Sequence, residues 1–143
     1  MIQLRDYQKS IVAKATEVIH RSGFVYLAME VRTGKTLTSL SIANNIRAQK
    51  VLFITKKKAI SSIEKDYELL EASFYLHTIN YESLHKVSYE LDWDVIILDE
   101  AHSMGAFPKP SKRARDVKMR IIKSKAKVIL LSGTPTPESY SQI

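Results

Sequence analysis

Val95-Ile96-Ile97-Leu98-Asp99-Glu100-Ala101-His102 couples four consecutive apolar residues to two adjacent carboxylates. A short apolar run without polar alternation is the pattern of a strand buried on both faces of a sheet. Carboxylates at the end of such a strand lose hydration unless a cation or hydrogen bonds compensate. Moving outward, the same design recurs. Upstream, Phe24-Val25-Tyr26-Leu27 is followed by Gly34-Lys35-Thr36, and Val51-Leu52-Phe53-Ile54 by Lys56-Lys57-Lys58. Downstream, Val128 to Leu131 run into Ser132-Gly133-Thr134-Pro135, and His77 to Asn80 give a weaker strand signal.

Helical periodicity fills the intervals. Ile11, Val12, Ala15, Val18 and Ile19 mark an amphipathic helix, and Leu37, Leu40, Ile42 and Ile46 mark a second, predicted to run to about Ala48. A third helix runs from the lysine triplet through Leu70, and Ala114, Val117 and Ile121 form the apolar stripe of a fourth. Strands alternating with helices predict an α/β fold, a mainly parallel sheet with helices on both faces. In such sheets ligands bind outside the carboxyl ends of the strands, where every polar cluster named above lies.

The 143 residues form a single domain large enough for a real core. A content of 45% hydrophobic and 26% charged residues is that of an ordinary globular chain rather than a disordered one. No apolar stretch approaches the ~20 residues of a membrane helix, and Met1 to Asp6 contain no apolar leader. With no cysteine, the chain has no disulfide, thiolate nucleophile or cysteine-bound zinc. The four histidines, His20, His77, His85 and His102, are not spaced as a metal set. These features predict a cytoplasmic or nucleoid-associated protein without a membrane partner. Net charge is +7, and the excess is local: residues 103–127 hold nine Lys or Arg against the single acid Asp116.

Gly34-Lys35-Thr36 between a strand and a helix is a phosphate cradle. Backbone N–H groups and the helix dipole attract an anion, Lys35 reaches the β- and γ-phosphates, and Thr36 ligates magnesium. The strict phosphate-loop pattern also asks for glycine at the position of Met29. Asp99 then holds Mg2+, through water, and Glu100 orients the attacking water. The bland alternatives are an ordinary helix start and an exposed acidic turn. The order of the two clusters favours the nucleotide reading.

Asp99-Glu100-Ala101-His102 resembles the DEAH form of motif II in superfamily 2 helicases and translocases. The wider set resembles the Swi/Snf-like, remodeller-type branch, which has bacterial and phage members. Leu4-Arg5-Asp6-Tyr7-Gln8 is similar to its adenine-recognition motif, Leu27 to Thr36 to motif I and Val51 to Lys58 to motif Ia. Ile79-Asn80-Tyr81-Glu82-Ser83-Leu84 and Trp93-Asp94 are also family-like, and Leu131 to Thr136 resemble motif III. Many members have glycine where Arg32 stands.

The resemblance implies that residues 1–143 are a first RecA-like ATP-binding domain, with the second RecA-like domain supplied in cis or in trans. It implies ATP and Mg2+ as ligands, and duplex DNA in preference to other nucleic acids. Gln8, with Arg5 nearby, would contact adenine; Thr33, Gly34, Lys35 and Thr36 would hold the phosphates; Asp99 and Glu100 keep the roles given above. His102, Ser132 and Thr134 would couple the nucleotide site to the nucleic-acid face. The host cytoplasm is the location if the gene is phage-borne.

Lys56, Lys57, Lys58 and Ser83, with Thr55, are the candidate contacts to a phosphate backbone. The basic segment from Lys109 to Lys127 has two open readings: a solvated helix face, or attraction to phosphate or an acidic partner. Two other functions stand beside the main one. One is a different superfamily 2 enzyme, such as a restriction-type translocase or an RNA helicase. The other is a non-catalytic nucleic-acid- or protein-binding module that retains a nucleotide site.

Overall fold

The computed structural model describes residues 4–28, 34–99 and 112–132. Five strands, β1 (Phe24–Ala28), β2 (Lys50–Thr55), β3 (Tyr75–Asn80), β4 (Val95–Asp99) and β5 (Lys127–Ser132), form one sheet in the order β1-β5-β4-β2-β3. Every pairing is parallel. Among the described residues four helices accompany them: α1 (Asp6–Ser22), α2 (Lys35–Asn45), α3 (Ile60–Leu70) and α4 (Lys112–Ser124). Short 3-10 turns follow β2 at Lys57–Ala59 and β3 at Tyr81–Lys86.

Strand alternation divides the core into two layers. Val51, Phe53, Val95, Ile97, Ile129 and Leu131 point to the face covered by α1, α2 and α3. Leu52, Ile54, Ile96, Leu98 and Val128 point to the other, where Trp93, Tyr81, Leu84 and Val117 of α4 close the layer. β4 is buried at all five positions, as its unbroken apolar run requires. Helix α2 lies between α1 and α3, which explains why eight of its eleven residues are buried although its sequence is not uniformly apolar. Ser39 and Ser41 make that possible by donating to the carbonyls of Thr36 and Leu37 at 2.7 and 2.8 Å.

Three sequence expectations need correction. Among the described residues β1 is an edge strand, and Phe24 is 42% exposed, so the strand is not buried on both faces as the apolar run implied. Helix α2 ends at Asn45 rather than near Ala48, because Arg47 turns into the left-handed region at φ 61° and redirects the chain into β2. Strand β3 begins at Tyr75, two residues before the predicted start, as the second edge of the sheet.

The connections after β1 and β2 carry α2 and α3 across one face, whereas α4, between β4 and β5, crosses the other. The direction of winding therefore reverses at the β4–β2 neighbours. The crevice outside the carboxyl ends at such a reversal is where open α/β sheets bind ligands. At the opposite end, the Asp94 carboxylate accepts from the backbone N–H of Gln49 and Lys50 at 2.8 and 3.0 Å. The Trp93 backbone N–H donates to Ser124 Oγ at 3.0 Å. The Trp93-Asp94 pair thus ties down the amino ends of the strands, far from the crevice.

Candidate nucleotide site

Glycine is required at residue 34. It caps α2 with φ 76° and ψ 36°, a left-handed conformation that costs a residue with a Cβ about 1–2 kcal/mol. A Cβ there would also lie 2.3 Å from Gln8 Nε2. The Gln8 side chain is buried against this turn: Oε1 accepts from the Arg5 N–H at 2.9 Å, and Nε2 reaches the Gly34 carbonyl at 3.5 Å. The first of these is half of a capping box at the start of α1. Arg5 itself is exposed at the helix cap. The amino-terminal motif is thereby packed onto the Gly34 turn.

Helix α2 starts directly after Gly34, which buries Lys35 and leaves Thr36 half-buried at the amino terminus of a dipole that favours anions. One strand, β5, separates β1 from β4, so their ends are roughly 9.6 Å apart at ordinary strand spacing. Lys35 bridges this gap: its Nζ is 3.1 Å from Asp99 Oδ1. Asp99 Oδ2 accepts from the Thr55 hydroxyl at 2.9 Å, a contact set by the Ile54–Leu98 register that places the next residues of β2 and β4 side by side. The Tyr81 hydroxyl donates to the Asp99 carbonyl at 2.9 Å. Asp99 is 4% exposed, and despite the nearby ammonium its Oδ1 makes no aligned hydrogen bond. A buried carboxylate oxygen with spare acceptor capacity is the kind of hard oxygen donor that suits Mg2+.

Strand β5 brings Ser132 to the same edge, beside Ala28 in register and one residue past Leu131, the partner of Asp99. The structure therefore gathers Gln8, Gly34, Lys35, Thr36, Asp99 and Ser132 at one end of the sheet. Glu100, Thr33, His102 and Thr134 lie outside the described residues.

Comparison with known proteins bears on the fold and the family. The family described as type III restriction enzyme, res subunit, matches residues 1–73, the half that carries α1, the Gly34 turn and the lysine triplet. The chain belongs to that family. No curated protein matches it. Among solved structures, the Sulfolobus solfataricus SWI2/SNF2 ATPase core in complex with dsDNA superposes with a TM-score of 0.75 at 18% identity, over 99% of this chain and 34% of that one. The ATP-dependent type ISP restriction-modification enzyme LlaBIII bound to DNA gives 0.63 at 20% identity, over 94% of this chain and 13% of that one. A nuclease-deletion mutant of the type ISP enzyme LlaGI, in complex with a DNA substrate mimic, gives 0.68 at 18% identity, over 94% and 18%. The fold is RecA-like, and the chain spans about a third or less of the length of each of these proteins.

Within this family fold, Lys56, Lys57 and Lys58 are all exposed, directly beyond the carboxyl end of β2. Ser83 is half-buried in the turn after β3. These residues share the sheet end that holds the Lys35–Asp99 pair. Thr55 does not join them. Expected from sequence as a phosphate-backbone contact, it is fully buried and its hydroxyl is committed to Asp99. Tyr81 belongs to the family-like segment Ile79 to Leu84, but its bond to the Asp99 carbonyl is not legible from sequence, because it depends on the turn after β3 folding back over the end of β4.

Proposed function

We propose that this chain is the nucleotide-holding lobe of an ATP-dependent translocase that moves on duplex DNA, joined in cis or in trans to a second RecA-like domain. The observation that carries this reading is the buried Lys35–Asp99 pair at 3.1 Å, at the carboxyl end of a parallel sheet and beside the amino terminus of α2. Without ligand the ammonium and carboxylate compensate each other. With ATP present, Lys35 would transfer its charge to the β- and γ-phosphates, and Asp99 would be released to face a cation. Mg2+ held by Thr36 and Asp99, the latter through water, would neutralise charge that develops on the phosphates. Glu100 would accept the proton of the attacking water as its oxygen bonds to the γ-phosphorus and the bond to the ADP oxygen breaks. Gln8 would contact adenine while its amide supports the Gly34 turn. His102, Ser132 and Thr134 would pass the state of the phosphates to the nucleic-acid face.

In this reading the second domain supplies the arginine finger, a group worth ~10³–10⁵ in rate in related phosphoryl transfer. The 143-residue chain alone should therefore hold nucleotide and hydrolyse it very slowly. The match of residues 1–73 favours a second reading within the same superfamily, a restriction-type translocase. The nucleic-acid preference tests the proposal. Fluorescence anisotropy should rank duplex DNA above single strands and RNA, and replacing Lys56, Lys57 and Lys58 together with alanine should weaken duplex binding and flatten its salt dependence. A preference for RNA, or a triple variant with unchanged affinity and salt slope, would overturn it.

A further inference from the structure

Helix α4 carries two apolar faces. Val117 and Ala114 pack towards the sheet, but Met119 and Ile122 are 56% and 58% exposed. Positions 112, 115, 119 and 122 are three and four residues apart, so Lys112, Arg115, Met119 and Ile122 form one outward stripe. Beside it runs a groove of about 770 Å³, walled by Lys112, Arg115 and Met119 on one side and by Tyr81, His85 and Tyr89 on the other.

This surface is held rigid from beneath. Arg120, 2% exposed, donates to Asp116 at 3.1 Å and to the Leu84 carbonyl at 3.0 Å, and its guanidinium lies 4.1 Å above the Tyr89 ring. The Tyr89 hydroxyl donates to the same Asp116 carboxylate. The acids along the groove are thus engaged within the chain: Asp116 by Tyr89 and Arg120, and Glu82 by the Asn80 amide at 2.9 Å. Lys112, Arg115 and Lys118 are exposed and, among the described residues, have no ion-pair partner.

We infer that this stripe and groove dock an acidic, amphipathic helical segment of a partner protein. The charge complement is acidic because Lys112, Arg115 and Lys118 have no ion-pair partner among the described residues, whereas Asp116, the one acid of α4, is engaged by Tyr89 and Arg120. The partner is protein rather than nucleic acid because of Met119 and Ile122. A phosphate backbone is met by cations and hydroxyls and does not cover apolar side chains. A helix with leucine at every third or fourth position and glutamate on its flanks satisfies both features in one groove. This docking is independent of the nucleotide site, although Tyr81, which holds the Asp99 carbonyl, forms part of the groove wall.

A synthetic helical peptide of that pattern, a scrambled peptide of the same composition and a duplex DNA oligonucleotide are the probes, read by anisotropy and by amide chemical shifts of the 143-residue chain. The helical peptide should bind saturably, shift amides of residues 112–123 and bind at least about tenfold more tightly than the scramble. Met119→Glu with Ile122→Glu should cost the peptide about tenfold and leave duplex DNA affinity unchanged. No saturable peptide binding, equal affinity for the scramble, or DNA displacing the peptide and shifting the same α4 amides would overturn the inference.

Discussion

Gly34→Ala should cost more than its backbone alone explains, and the excess should vanish when Gln8 is removed. Alanine at φ 76° pays about 1–2 kcal/mol for the left-handed conformation. Its Cβ would also lie 2.3 Å from Gln8 Nε2, the end of a side chain that can swing aside only by leaving its buried position. The displaced amide forfeits the contacts to the Arg5 N–H and the Gly34 carbonyl, about 1 kcal/mol net since the second is long at 3.5 Å. The sum is about 2–3 kcal/mol, readable as a lower urea midpoint at unchanged slope. In a Gln8→Ala background the new methyl has room, and only the backbone cost of about 1–2 kcal/mol should remain. The double-mutant cycle should therefore show a coupling of about 1 kcal/mol. Additivity within about 0.3 kcal/mol, the behaviour of independent sites, would refute the packing of the amino-terminal motif on the Gly34 turn.

Two further outcomes follow from buried contacts. Thr55→Val leaves the buried Asp99 Oδ2 without its donor and should destabilise the fold by about 1–3 kcal/mol, whereas Thr55→Ser restores the bond; equal denaturation midpoints for valine and serine would contradict the assignment. Tyr89 should ionise above the usual tyrosine value of 10, chiefly because its hydroxyl donates to Asp116, with partial burial and the Asp116 charge adding to the effect and Arg120 opposing it. The neutral phenol is the form the fold favours, so this stabilisation is complete below about pH 10 and is lost as pH rises through the raised pKa. The phenolate absorbance difference between the protein and Tyr89→Phe should titrate lower after Asp116→Asn, and an unmoved midpoint would argue against the contact.

The sheet was legible in the sequence because four of its strands are apolar runs that end in polar clusters, and the parallel fold rule placed those clusters on one edge. What local sequence could not carry was long-range register. Thr55 and Asp99 are 44 residues apart, and only the pairing of β2 with β4 makes them neighbours. Edge position was hidden for the same reason: Phe24 reads like a core residue, and its exposure goes with β1 having, among the described residues, a strand on one side only. In α4, the stripe of Ala114, Val117 and Ile121 identified the inward face, but the sequence could not show that Met119 and Ile122 would be left outside. The Lys35–Asp99 approach was implied by two motifs in order, yet its closeness depends on β5 inserting between their strands.

Calorimetric titration of MgATP into the 143-residue chain and its Lys35→Met variant tests the central claim most directly. Lysine to methionine keeps most of the volume and removes the charge that pairs with Asp99. The account predicts saturable, magnesium-dependent binding to the unaltered chain and a loss of at least about tenfold, ~1.4 kcal/mol, in the variant while its circular dichroism remains folded. Absence of binding to the unaltered chain, or equal affinity in a folded Lys35→Met protein, would contradict it.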